Sequence, residues 1–149
     1  MNFTAKEDYG IRAVVDIAAN RVDAPVQAKE IAARQDIPEQ FLEQVLATLR
    51  RAGIIRSIRG AGGGYDLARN ASQITIGDIL RTLSGPILPI RCVNESNGAS
   101  CEQEAACGVM DLWRRLKMAI SEVIDTTTVQ DLVDKSQALV GARTFMMNI

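Results

Sequence analysis

Pro38-Glu-Gln-Phe-Leu-Glu-Gln-Val-Leu-Ala-Thr-Leu-Arg-Arg-Ala-Gly53, running on into Ile54-Ile-Arg-Ser-Ile-Arg59 and Gly60-Ala-Gly-Gly-Gly-Tyr65-Asp-Leu67, decides how this chain folds. Proline suits the first helical position and glycine the residue past the last turn, so Pro38 and Gly53 bracket a helix of about four turns. Leu42, Val45, Leu46 and Leu49 share one face, which leaves Glu39, Gln40, Glu43, Gln44, Arg50 and Arg51 outward. After Gly53 the period changes. Ile54, Arg56 and Ile58 alternate with Ile55, Ser57 and Arg59, the pattern of a short strand. Gly60 to Gly64 must turn, and Tyr65, Asp66 and Leu67 return as a second strand. A polar-faced helix followed by a basic hairpin with a glycine tip is the winged form of the helix-turn-helix, which sets a helix in the major groove of DNA and a hairpin beside it.

The flanking segments supply the rest of such a domain. Thr4-Ala-Lys-Glu7 has the form of a capping box, so a first helix begins near Ala5. Tyr9, Ala13, Val14, Ile17 and Ala18 form its core face, Asp8 stands off that stripe, and the helix ends before Asp23-Ala24-Pro25. A second short helix runs from about Ala28 to Gln35 with Ile31 and Ala32 inward, and Asp36-Ile37 turns the chain into Pro38. Two helices joined this tightly make a helix-turn-helix. An αα-hairpin with no DNA role has the same spacing; the arginine-bearing hairpin argues against it. Thr75-Ile-Gly-Asp78 starts a further helix carrying Ile79, Leu80 and Leu83, and Gly85-Pro86 stops it.

Of the 149 residues, 47% are hydrophobic and only 4% aromatic, a balance suited to helices packed on aliphatic side chains. The formal charge of −1 does not exclude nucleic acid, because Arg50, Arg51, Arg56, Arg59 and Arg69 cluster against the single acid Asp66. No stretch has the order of a signal peptide or the length of a membrane span, so a cytoplasmic protein without membrane contact is expected. Pro86 to Cys107 shifts to Pro, Asn, Ser, Gly and Glu and reads as an exposed loop holding all three cysteines, Cys92, Cys101 and Cys107. Three thiols in a reducing compartment more often stay free or bind metal than pair.

From Gly108 to about Thr126 a long helix carries Leu112, Trp113, Leu116, Ile120, Val123 and Ile124 along a stripe that it cannot bury alone. The stripe packs either on its own domain or on the same helix of a second subunit. Paired half-sites on DNA favour the second, a homodimer. Thr128 caps a final short helix ending near Gln137, and Gly141 to Ile149 reads as a loose tail. The expected protein is mainly α with a small β-hairpin wing. Residues 1–85 form a winged helix-turn-helix domain, 86–107 the cysteine loop, and 108–149 the dimerisation helix and tail.

Asp8-Tyr9, Leu42-Glu43-Gln44, Leu49-Arg50-Arg51-Ala52-Gly53, Arg59-Gly60-Ala-Gly-Gly-Gly-Tyr65 and Asp111-Leu112-Trp113 after the third cysteine together carry a resemblance over nearly the whole chain. It is to the bacterial winged-helix regulators that include IscR, NsrR, RirA and CymR. The resemblance implies a dimer on a double-stranded operator. Base reading would fall to Gln40, Phe41, Glu43 and Gln44, with Arg50 and Arg51 behind them and Arg56, Arg59 and Gly60 in the wing. Gln44 suits adenine, Glu43 suits cytosine, and Arg59 suits the minor groove. Pro38, Gln40 and Phe41 depart from the small hydroxyl and tyrosine residues of IscR-like members, so the operator sequence does not carry over.

Some members of the family lack cluster cysteines. In the others a loop of this kind holds a [4Fe-4S] or [2Fe-2S] centre, and here Cys92, Cys101 and Cys107 are separated by eight and then five residues. IscR-like proteins complete the set with a histidine, but that position is Met110 and the chain has no histidine. NsrR-like proteins use an acid from the partner's N-terminal helix, and Asp8 stands at the matching place; Glu7, Glu102 and Glu104 are alternatives. A carboxylate is a harder donor than a thiolate and would hold such a centre less tightly. Spacing leaves open zinc on three Cys and one acid, or three ordinary thiols. The implied function is a transcriptional repressor whose operator affinity follows iron, redox state or a small diatomic molecule at the cluster. The alternative is a cluster-carrying redox or scaffold protein whose helix-turn-helix makes protein contacts. An enzyme is not expected, since there is no histidine base, no phosphate-binding Gly-Lys-Ser run and no nucleophile–base pair.

Overall fold

The structure, a computed structural model, describes residues 3–93 and 106–148. Three helices come first: α1 (Ala5–Asn20), α2 (Ala28–Gln35) and α3 (Glu39–Arg51). A hairpin follows, β1 (Ile55–Ile58) and β2 (Gly64–Leu67), and then α4 (Ile76–Ser84), α5 (Val109–Thr126) and α6 (Val129–Met147). Short 3₁₀ turns at Ala71–Gln73 and Arg91–Val93 join the pieces. The mainly α fold with a two-stranded wing is the expected one.

Local chemistry sets these boundaries. Thr4 and Glu7 form the capping box of α1, and Thr75 with Asp78 and Thr128 with Asp131 repeat the device at α4 and α6. The turn from α2 to α3 passes through Asp36 in the left-handed conformation at φ 53°, where a short polar side chain is tolerated. Gly53, at φ 73°, ends α3 in the same region. Leu42, Val45, Leu46 and Leu49 of α3 are all buried, each contributing roughly 1.5–3 kcal/mol of transfer free energy. They meet α1, which crosses α4 at Gly10, where a side chain would run into Leu83.

The two strands pair antiparallel with Ile55 opposite Leu67, Arg56 opposite Asp66, Ser57 opposite Tyr65 and Ile58 opposite Gly64. Val26 adds a bridge on the outer side of β2, its N–H and C=O exchanging 2.8 Å hydrogen bonds with Tyr65. A Cβ at position 64 would lie 2.6 Å from the Val26 carbonyl oxygen, so glycine is needed for this close approach. The expected alternation along β1 is not observed. Ile54 and Ile55 are both buried while Ile58 is exposed, because the hairpin runs beyond the core after one residue pair.

The C-terminal segment differs from expectation in two ways. Ile124 is only 8% exposed and Ile120 packs beside it against the chain's own core, whereas Leu112 (53%), Leu116 (39%) and Val123 (63%) remain open. Trp113 is half-buried. The apolar residues read as one stripe are therefore two faces. Val109, Leu112, Leu116, Ala119 and Val123 repeat at alternating steps of three and four along the open face. The inward face is pinned by the Thr75–Thr128 bridge, with the Ile76 N–H to Thr127 C=O and Val129 N–H to Ile74 C=O bonds both 2.9 Å. Secondly, the expected tail from Gly141 is helical, since α6 continues to Met147. Its first turns bury Val129 and Val133; from Asp134 onward the side chains are exposed.

Candidate nucleic-acid interface

Gln40, Glu43 and Gln44 lie in the first turns of α3, exposed, on the side opposite its buried leucines. None of these side chains has a hydrogen-bond partner among the described residues, so their donors and acceptors are open to a ligand. Phe41 is placed differently from its expected role as a base reader. It is half-buried, packs against the core and meets the Tyr9 ring edge-on at 5.5 Å and 83°, so it fixes α1 against α3. Arg50 and Arg51 are exposed at the far end of α3. Arg51 leans back on its own helix, donating to the Ala47 carbonyl and the Thr48 hydroxyl at 3.3 Å. A groove of about 510 Å³ between Lys6, Phe41, Gln44, Val45, Ala47, Thr48 and Arg51 runs along this flank.

The hairpin separates its two arginines. Arg59 and Gly60 stand exposed at the tip, Gly60 at φ 114°, and Arg59 has no ion-pair partner among the described residues. Arg56 is held from directly across the ladder, its Nη2 donating to Asp66 at 2.7 Å. Asp66 also accepts from Arg21, at the end of α1, at 3.4 Å and from the Leu67 N–H at 2.8 Å. Burial works against the Asp66 carboxylate, but bonds from Arg56, the Leu67 amide and Arg21 outweigh it and hold the group below its ordinary range.

Cys92 is exposed and Cys107 is half-buried, and both are free thiols at the two ends of the loop. Cys101, Glu102 and Glu104 lie outside the described residues. Asp8 is exposed and paired with Arg12 one turn on, at 2.9 Å. Among the described residues no three Cys, Asp or Glu side chains gather into a metal-holding group, so Asp8 does not join Cys92 and Cys107 within one chain. Glu7 is unsuited to ligation. It is buried, and it accepts from the Thr4 N–H at 2.6 Å, the Thr4 hydroxyl and the Ser84 hydroxyl. Burial alone would raise its pKa, but the bonds from Ser84 and Thr4 prevail and bring it down to about 2.

Two polar groups near the site escaped the sequence reading. Asp16, buried on α1, accepts from Arg34 Nη2 at 2.7 Å, from Arg34 Nε and from Gln35 Nε2 at 2.9 Å, which ties α1 to the end of α2. The second is the Ser84 contact, which with Lys6 Nζ donating to the Leu83 carbonyl at 2.6 Å clamps the first turn of α1 to the last turn of α4. A charged residue flanked by Val15 and Ile17 was the only local sign of the first. Nothing local signals the second.

Comparison with known proteins bears on this arrangement. A family model, Rrf2, described as an iron-dependent transcriptional regulator, matches residues 3–135. The HTH-type transcriptional regulator CymR of Bacillus subtilis (strain 168) is 38% identical over 132 residues, 89% of each protein. The solved structure of CymR, described as the global cysteine regulator of B. subtilis, superposes with a TM-score of 0.74 at 37% identity, covering 91% of this chain and 98% of that one. IscR of T. potens gives a TM-score of 0.72 at 34% identity, covering 91% and 88%.

Proposed function

The chain belongs to the Rrf2 family of transcriptional regulators, and from that premise we propose that it acts as a homodimeric repressor whose operator affinity is set by an iron–sulfur cluster. The observation that carries the DNA reading is the row of unengaged polar side chains on α3, Gln40, Glu43 and Gln44, beside a wing whose tip offers Arg59. Side chains of this kind match base edges, while an arginine at a hairpin tip matches a narrow groove or phosphate. The open face of α5 supports the dimer, since a row of Val109, Leu112, Leu116 and Val123 in water is stabilised by pairing with its like. No helix among the described residues is long and apolar enough to cross a membrane.

The cluster reading rests on donor chemistry. Cys92 and Cys107 are free and reachable, and with Cys101 they supply three thiolates. Asp8 of a second copy is the proposed fourth ligand, for which it must leave Arg12. When bound, such a centre supplies an iron site open to oxidation, iron loss or attack by a small diatomic molecule. This chain's residues then link loop and DNA: α1 carries Asp8 and packs on α3, so holding α1 from the partner's loop changes how the two α3 helices are presented. The coupling is reciprocal, operator and cluster each strengthening or weakening the other by one factor.

A second reading rests on the free thiols Cys92 and Cys107: the cysteines act as thiols with no metal, and their oxidation state sets DNA affinity. Anaerobic purification with iron and sulfide analysis, absorption spectra and gel shifts of each form decides between them. The cluster reading expects stoichiometric iron and sulfide, and operator affinity that changes on their loss. Metal-free protein whose gel shift answers only to oxidant overturns it in favour of the thiol reading.

A further inference from the structure

Arg21, Arg56 and Asp66 form a three-residue cluster at the base of the wing that base reading by α3 does not explain. Asp66 is the one acid in the basic stretch from Arg50 to Arg69, and it sits opposite Arg56 in the ladder. Its side chain is 18% exposed and takes three donors: Arg56 at 2.7 Å, the Leu67 amide at 2.8 Å and Arg21 at 3.4 Å. The hydrogen bond from the Leu67 N–H holds one carboxylate oxygen, and the other takes Arg56. Arg56 itself is largely exposed. Its charge lies where phosphates would approach a wing, yet its Nη2 is already engaged by the Asp66 carboxylate.

We propose that Asp66 is a positioning residue that holds Arg56 and Arg21 away from DNA phosphates and leaves the wing's free positive charge to Arg59 at the tip, which makes Asp66 a determinant of operator selectivity. This rests on the DNA-binding reading above and adds to it a division of labour inside the hairpin. Phosphate contacts raise affinity for every sequence alike, whereas a charge confined to the tip acts only where the groove admits it. Damping the base of the wing therefore lowers binding to random DNA more than binding to the operator. The same contact has a mechanical side. Arg21 closes α1, and Val26, bonded to Tyr65, follows it, so Asp66 and the Val26 bridge together fix the wing's angle to α1.

The test is the salt dependence of binding to a random duplex by wild type, Asp66→Asn, and the double variant Asp66→Asn with Arg56→Ala. Each cation released onto phosphate steepens the logarithmic slope by about 0.9, which over a fourfold change in salt is about 3.5-fold in affinity. Asp66→Asn is expected to steepen the slope by roughly one to two such steps and to lower the ratio of operator to random binding; the double variant returns most of the change. Elution from immobilised heparin reads the same freed charge without requiring operator recognition, and Asp66→Asn should leave at higher salt. Unchanged slope and unchanged elution in a folded Asp66→Asn protein overturn the proposal while leaving DNA binding intact. So does an Arg56→Ala loss as large as that of Arg59→Ala, since Arg56 would then already be on phosphate. Failure of the wild type to select any DNA sequence, with the heparin shift present, overturns the operator reading instead and keeps Asp66 as the group that masks the wing's charge.

Discussion

The helices α1 to α4 and the helices α5 and α6 solve the same problem differently. In the first set every apolar face meets another element of the chain, and α3 leaves only polar side chains outward. In the second set each helix buries one part and leaves another bare: α5 turns Ile120 and Ile124 inward with Leu112, Leu116 and Val123 open, and α6 buries Val129 and Val133 while Leu139, Val140, Phe145, Met146 and Met147 are exposed. A soluble surface seldom carries so many large apolar side chains in rows. On the function proposed above, the first half reads DNA and the second meets another copy of the chain.

The largest expected effect strikes the bare face. Leu116→Asp should break the dimer and, by removing the second half-site from simultaneous engagement, weaken operator binding by roughly 100-fold or more. Circular dichroism should remain that of the folded chain. Wild-type protein that sediments as a monomer at every concentration would remove the contrast between the halves.

Next comes the packed half. Glu7 is lowered from 4.5 to about 2, so the stability it contributes is fully present above about pH 4.5 and is lost as the pH falls through 2. The shift corresponds to about 3 kcal/mol, and Glu7→Gln should remove much of it at neutral pH and flatten the acid limb of the urea midpoint against pH. An unaltered midpoint would mean that the clamp of α1 on α4 contributes nothing.

Part of this was legible in the sequence and part was not, for physical reasons. The buried face of α3, its glycine stop, the Thr4–Glu7 capping box and the helix starts at Thr75 and Thr128 are local patterns, and they appear where expected. The α5 stripe was harder, because 3.6-residue and 3.5-residue spacing both fit so short a helix, and Ile120 and Ile124 separate from Leu116 and Val123 only once the turn at Thr127 is pinned to α4. The end of α6 looked like a tail because Gly141 interrupts it and its apolar residues follow no single face. A lone glycine costs about 1 kcal/mol, which good helix formers on both sides outweigh. Phe41 at the start of a reading helix looked like a base contact; its partner Tyr9 lies on another helix, and no spacing rule predicts that pairing. The same distance hid Ser84 from Glu7 and Arg34 from Asp16.

Smaller effects sharpen the division. Gln44→Ala should cost about 1–3 kcal/mol of discrimination at one operator position and leave stability alone. Arg59→Ala should weaken operator binding more than binding to random DNA. If both variants match wild type in binding and preference, α3 and the wing are not the reading surface. Least of all should Leu139→Asp affect the single chain: with no packing to lose, its unfolding free energy should stay within about 0.5 kcal/mol of wild type, although self-association weakens. A large loss of stability in a monomeric background would show that the outer half of α6 packs on its own chain.

The most direct test is selection from random duplex DNA by the purified full chain, followed by footprinting of the enriched sequence. Two copies each presenting one α3 should enrich an inverted repeat with half-sites centred about 10 base pairs, or a multiple of that, apart, both protected, and Glu43→Ala with Gln44→Ala should erase the preference. Enrichment of no sequence above the starting pool, or protection of a single unrepeated site, would contradict a dimer that reads DNA through α3.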